Sequence, residues 1–179
     1  MIRAFLALPL PEPILDRLTI AQHRLPLPRP LEPETFHITL VFLDRQPEPV
    51  LEDFHNALEA MARYAPLLRL DGLGSFGGND PDAVFARIAG DARLSALHMK
   101  SARAAREVGI EVPGRKYVPH VTLGRFRKGE AQPEALARAM QAVEPLTSDL
   151  WLAEEMVLYR STLRPEGPVY DPLARYKLG

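Results

Sequence analysis

One phrase occurs twice in this chain, and it limits the fold more than any other feature. Phe36-His37-Ile38-Thr39-Leu40 returns 83 residues later as Pro119-His120-Val121-Thr122-Leu123, with His, an apolar residue, Thr and Leu in the same order. Five His and six Thr among 179 residues give about 0.2 His-x-Thr triplets by chance, and two sharing the next Leu well under one time in a hundred. The flanking segments repeat too. Ahead of the first phrase stand an apolar run, Ile2 to Leu8, and a helical periodicity of Ile14, Leu18 and Leu25 after Pro11. Ahead of the second stand Ala83 to Ala89 and a helix capped by Asp91, with Leu94, Leu97, Ser101, Ala105 and Val108 inward and Gly109 as its stop. Each phrase is followed by another amphipathic stretch and another strand. In the first half these are Val50, Leu51, Phe54, Leu58 and Met61, then Pro66 to Phe76; in the second, Leu136, Met140 and Val143 after Pro133, then one long strand, Trp151 to Tyr159. A last strand is expected from Val169 to Leu178. The reading is an α+β chain with an internal duplication, one domain whose pseudo-symmetric halves run roughly 1–80 and 81–179.

Proline supplies the punctuation. The chain has 18, about twice the usual share, clustered at residues 9–13, 26–33, 47–49 and 165–172. Because proline is excluded from helix interiors and central strands, these clusters mark stiff joints between elements.

The phrase also carries chemistry. Side chains at i and i+2 of a strand share a face, so His37 and Thr39 fall on one face while Phe36, Ile38, Leu40 and Phe42 are expected in the core. In the second strand His120 and Thr122 share a face opposite Val121 and Leu123. A pseudo-twofold relation between the halves would bring both pairs across one cleft. Two imidazoles suit a reaction needing an acid and a base near neutral pH, and two hydroxyl donors suit an anion whose charge grows in the transition state. A phosphodiester meets both requirements, with no metal and no cofactor.

Composition narrows the field. The chain has no cysteine, which removes thiol nucleophiles, disulfides, thiolate zinc sites and iron–sulfur clusters, and the expected address is the cytoplasm. The apolar opening run ends at Pro9, too soon for a secretory signal, and no stretch approaches the roughly 18 apolar residues of a membrane span. A net charge of −1 argues against coating long nucleic acid, where many cations must neutralise phosphates. A local phosphate site is still open to it: residues 112–129 hold Arg115, Lys116, Arg125, Arg127 and Lys128 and no carboxylate.

On these motifs the chain resembles the bacterial and archaeal RNA 2′,3′-cyclic phosphodiesterases, the 2′-5′ RNA ligase-like branch of the two-histidine phosphoesterases. The resemblance spans Arg3 to Leu8, Glu34 to Leu43, Val118 to Arg125, Leu158 to Ser161 and Val169 to Tyr176. It implies a bilobal fold, two antiparallel sheets lining a central cleft with helices outside, and hydrolysis of a terminal 2′,3′-cyclic phosphate to a 2′-phosphomonoester. By that resemblance His37 is the proton donor, His120 the proton acceptor, and Thr39, Thr122 and Arg125 bind the phosphate. The implied partners are RNA 3′ ends or nucleotides bearing the cyclic phosphate, met by a monomer away from membranes. Two positions depart from simple expectation. Asp44 stands where the family commonly has Gly, and strict alternation turns Arg125 away from the cleft unless a bulge at Gly124 redirects it.

Other readings stay in view. The same residues could run the reverse reaction, 2′-5′ ligation with a ribose 5′-hydroxyl in place of water, or could only grip phosphate in a non-catalytic RNA-end or nucleotide-binding module. A zinc hydrolase fits poorly, because neither motif has a second ligand at i+3 or i+4. His23, His55 and His98 read as surface or core-edge residues of helices, and Thr147 and Thr162 as ordinary strand threonines. Tyr117, Phe5 and Tyr159 could stack a base or fill the core, with core favoured for Phe5 and Tyr159.

Overall fold

A computed structural model describes residues 1–179. The elements are β1 (Ile2–Pro9), α1 (Glu12–His23), β2 (Arg29–Pro30), a 3-10 turn (Pro33–Thr35), β3 (His37–Gln46), α2 (Glu48–Ala60) and β4 (Leu67–Phe76), then β5 (Ala83–Gly90), α3 (Ala92–Glu107), β6 (His120–Arg125), α4 (Pro133–Val143), β7 (Trp151–Leu152), β8 (Glu155–Arg164) and β9 (Gly167–Lys177). Proline starts three of the four helices. Pro13, Pro49 and Pro133 sit in the first turns of α1, α2 and α4, where the missing N–H costs nothing. The fourth, α3, starts on Asp91, whose carboxylate accepts from the Arg93 N–H at 3.0 Å.

The strands form two antiparallel sheets, ordered β3-β1-β8-β9 and β2-β6-β5-β4-β7. Each motif strand lies beside the first strand of its own half: β3 pairs with β1, and β6 with β5. The third strands are exchanged. β4, from the first half, pairs with β5, while β8, from the second, pairs with β1. The orders β3-β1-β8 and β6-β5-β4 are therefore equivalent, and each sheet is built from both halves of the sequence. The helices cross over too: α3 packs on β3 beside α2, and α1 meets β6, with Arg24 of α1 donating to the Ala142 carbonyl of α4 at 2.9 Å.

Alternation decides which side chains go where. On β1, Ala4, Leu6 and Leu8 are fully buried on the helix side, while Arg3 and Phe5 point to the other face, into a cleft. A continuous core of buried apolar residues, including Leu18, Phe54, Leu58, Leu94, Leu97 and Leu136, joins helices and sheets.

The structure corrects three expectations. The strand expected at Trp151–Tyr159 is two strands: Trp151 and Leu152 pair with β4, and β8 then pairs with β1, because the chain crosses from one sheet to the other at Ala153 and Glu154. Helix α1 ends at His23, and Leu25 is buried just past it. Phe42 is not core: it is 46% exposed, for a reason found in the motif strands themselves.

Candidate active site

Both motif strands bulge at the same motif position. Along β5 and β6, Phe85 faces Thr122 while the next pair is Val84 with Gly124, which leaves Leu123 as an extra residue. Along β1 and β3, Ala7 faces Thr39 and the next pair is Leu6 with Val41, which leaves Leu40 as the extra residue. A bulge shifts the alternation by one. The side chains five residues past each His therefore turn back to the His face: Arg125 after His120, and Phe42 after His37. That is why Phe42 is exposed and why Arg125 reaches the cleft. Gly124 leaves room at the bend for the loop and strand beside it, since a Cβ there would lie 2.8 Å from Leu27 Cδ1 and 3.2 Å from the Arg29 carbonyl.

Together these residues line a cleft of about 530 Å³ between the sheets, which holds His37, Thr39, His120, Thr122 and Arg125. Arg3, Phe5, Phe42 and Tyr170 also stand in its walls. A larger hollow of about 760 Å³ adjoins it and shares Leu31, Thr35, Arg125 and Pro168, but holds neither histidine. Of the five basic residues between 112 and 129, only Arg125 lines the cleft; its second cation is Arg3 of β1, which the charge pattern did not single out. Neither forms a salt bridge.

The imidazoles are held alike. His37 Nδ1 lies 2.7 Å from the Thr35 carbonyl, and His120 Nδ1 lies 2.6 Å from the Val118 carbonyl. A carbonyl only accepts, so each Nδ1 carries the proton and each Nε2 is left for the cleft. His37 Nε2 is 3.0 Å from Thr39 Oγ1. Two aromatic rings flank each imidazole. Phe5 lies at 4.7 Å and Tyr170 stands edge-on at 5.4 Å from His37; Phe85 lies at 5.1 Å and Phe76 stands edge-on at 5.0 Å from His120. Gly74, opposite Phe85, makes room for that ring, since a Cβ there would fall 2.6 Å from it.

Charge and burial set the proton affinities. Burial pushes His37 from 6.5 down to about 4, against the pull of the Thr35 carbonyl and with the charges of His120 and Arg125 adding to the fall. His120 is lowered as well, chiefly by burial and then by Arg125. Burial raises the Tyr170 hydroxyl, opposed by Arg125 and Arg3. Arg125 thus acts on both imidazoles and on Tyr170 from within the cleft.

The remaining candidates lie elsewhere. His23 bonds the Thr19 carbonyl on the surface, His55 bonds the Tyr176 hydroxyl, and His98 bonds the Leu40 carbonyl. Thr147 makes a bridge to Asp71, and Thr162 sits in β8. Phe5 is 3% exposed and backs His37, and Tyr159 stacks on it at 5.3 Å. Tyr117 neither enters the cleft nor stands free, since its ring stacks on His98 and its hydroxyl donates to the Thr39 carbonyl. Asp44 lies not in a turn but inside β3, beside a second register shift against β1, and holds φ +56°, a left-handed conformation that favours Gly. Sequence reasoning missed Arg3 and Tyr170 as cleft residues; Arg3 is visible in retrospect as a cation alternating with Phe5 on the face opposite Leu6. No group of three His, Cys, Asp or Glu side chains is placed to hold a metal, and no helix is long and apolar enough to cross a membrane.

Known proteins share the sequence pattern and the fold of this chain. The sequence profile of the 2′-5′ RNA ligase superfamily matches residues 10–164. An RNA 2′,3′-cyclic phosphodiesterase of Thermus thermophilus is 33% identical over 191 aligned positions covering 98% of this chain and 90% of that protein. One from Geobacillus stearothermophilus is also 33% identical, over 88% of this chain; the match spans only half of that longer protein. Among solved structures, TT0787 of Thermus thermophilus superposes with a TM-score of 0.82 at 29% identity, covering 98% of this chain and 97% of that one. The E. coli LigT structure complexed with 3′-AMP shares the fold at a TM-score of 0.80 and 21% identity, covering 99% and 98%. By motif, fold and profile, the chain belongs to the 2′-5′ RNA ligase superfamily.

Proposed function

We propose that this chain hydrolyses the 2′,3′-cyclic phosphate at an RNA 3′ end to a 2′-phosphomonoester, using its two histidines as acid and base and no metal. The observation that carries the reading is the matched tethering of the imidazoles: each Nδ1–H is tied to a carbonyl two residues back, so each Nε2 is left for proton exchange in the same cleft. Curated relatives named RNA 2′,3′-cyclic phosphodiesterase, 33% identical over most of the chain, support the substrate class.

In this reading a water attacks phosphorus in line with the P–O3′ bond. His120 Nε2 takes the water proton as the P–O bond forms, and protonated His37 gives its Nε2 proton to O3′ as the P–O3′ bond breaks. The products are a 2′-phosphate and a free 3′-hydroxyl, and solvent returns the protons to their starting places. Thr39 and Thr122 donate to the non-bridging oxygens, where charge accumulates. Arg125 supplies a fixed cation beside them. The bound phosphate anion also raises the proton affinity of His37, opposing the burial that lowers it in the empty cleft.

The test is an oligoribonucleotide ending in 2′,3′-cyclic phosphate, with chelator present and the product isomer identified. A 2′-phosphate product is expected, with turnover falling about 10²–10⁴-fold in His37→Ala and in His120→Ala. Full turnover by a folded double variant, or turnover abolished by the chelator, refutes the mechanism.

A further inference from the structure

The bulges that shape the cleft are held from behind by side chains that do not touch it. Gln22 of α1 is 5% exposed, and its Nε2 donates to the Leu123 carbonyl at 2.8 Å and the Leu31 carbonyl at 2.7 Å. Leu123 is the bulged residue of β6, and its carbonyl also accepts from the Leu31 N–H at 2.9 Å. In the other half, His98 of α3 donates from Nδ1 to the carbonyl of Leu40, the bulged residue of β3, at 2.8 Å. The His98 ring lies flat on Tyr117, with centroids 4.0 Å apart and planes 6° apart, and the Tyr117 hydroxyl donates to the Thr39 carbonyl at 3.0 Å. Each half thus sends one polar side chain, from the helix after its first strand, to the same carbonyl of the opposite motif. The two residues differ in kind, an amide and an imidazole, but perform the same bond.

We propose that Gln22 and His98 are positioning residues that hold the Leu123 and Leu40 bulges and thereby aim Arg125 and Phe42 into the cleft. A bulge removes its extra residue from the regular ladder. Each helix side chain gives that residue's carbonyl a hydrogen bond, at Leu123 in addition to the one from the Leu31 N–H, and so favours the bulged register over the regular one. The register matters because regular alternation sends the fifth residue after each His toward the helices, away from phosphate. Gln22 does a second thing: its bond to Leu31 ties down the loop that forms one rim of the cleft.

This inference rests on the cyclic phosphodiesterase reading for one of its assays, but not for the other. The test is a double-mutant cycle between Gln22→Leu and Arg125→Ala, read both as kcat/KM on the cyclic phosphate and as Kd for inorganic phosphate. In the wild-type background Arg125→Ala is expected to weaken each by about 10- to 100-fold, and in the Gln22→Leu background by less than about 3-fold, because Arg125 is no longer aimed. A side chain that only stabilises the fold lowers the active fraction by one factor in both backgrounds. Equal effects of Arg125→Ala in the two backgrounds therefore overturn the proposal. If Gln22→Leu does not fold, the symmetric pair decides: His98→Leu is expected to impair turnover and phosphate binding, and His98→Gln to restore them to within about 3-fold of wild type, since Gln makes this bond in the other half. Failure of His98→Gln to rescue a folded protein also refutes it. Absence of turnover in the wild type would sink the function proposed above, while the phosphate cycle would still decide the positioning role.

Discussion

His37 should make the protein acid-sensitive, by an amount that follows from its burial. The imidazole is held at about 4 in the fold, against 6.5 for the free side chain. Between those values the unfolded chain binds a proton that the folded chain refuses, so stability falls as pH drops below about 6.5 and levels off below about 4. The whole window is worth about 3 kcal/mol, most of it lost by about pH 4.5. The substitution that isolates this effect is His37→Asn, whose amide can donate to the Thr35 carbonyl as Nδ1 does but does not titrate. Urea unfolding of both proteins at about pH 7.5 and about pH 4.5 measures it. Wild type should lose roughly 2–3 kcal/mol more than the variant across that interval. Parallel losses would mean that His37 is solvated enough to protonate freely, and that the aromatic walls around it do not keep water out.

Two further outcomes test the backbone of β3. Phe36→Ala should cost about 3–5 kcal/mol, as expected for a buried phenylalanine, whereas Phe42→Ala, six residues on, should cost under about 1 kcal/mol because its ring is 46% exposed; chemical denaturation compares them, and equal losses would contradict the register shift. Asp44→Gly should stabilise by about 0.5–1 kcal/mol, since Asp44 holds φ +56° where a Cβ is disfavoured and Gly is not; an unchanged or lowered Tm would show that the carboxylate offsets the strain.

The repeated phrase made most of the site legible, because a two-residue spacing on a strand converts directly into a shared face. It located His37, Thr39, His120 and Thr122 without reference to any contact. Alternation failed where the backbone leaves the ladder. The rule sends Phe42 to the core and Arg125 away from the cleft, and only the pairings Leu6 with Val41 and Val84 with Gly124 show both turned around. Gly124 was the one visible hint, whereas Leu40 carries no such mark. Strand pairing was likewise hidden: nothing local to Trp151 tells it to pair with Leu68 while Val157 pairs with Ala7, since partner choice lies in long-range packing. The basic run from Arg115 to Lys128 misled in the opposite direction, because neighbours in sequence scatter once a strand begins among them, and Arg3, far away in sequence, joins Arg125 instead.

The exchange of third strands has a mechanical meaning. Each histidine stands on a sheet that includes a strand donated by the other half of the chain, so the cleft walls are laced together as well as set side by side. Pulling the two halves of the sequence apart would mean peeling β4 from β5 and β8 from β1 rather than bending a linker. A chain cut between β4 and β5 would leave two fragments that each lack two strands of their own sheet and carry two of the other's. Each fragment would be the complement the other needs to complete its fold, and only the reunited pair would bring His37 and His120 into one cleft.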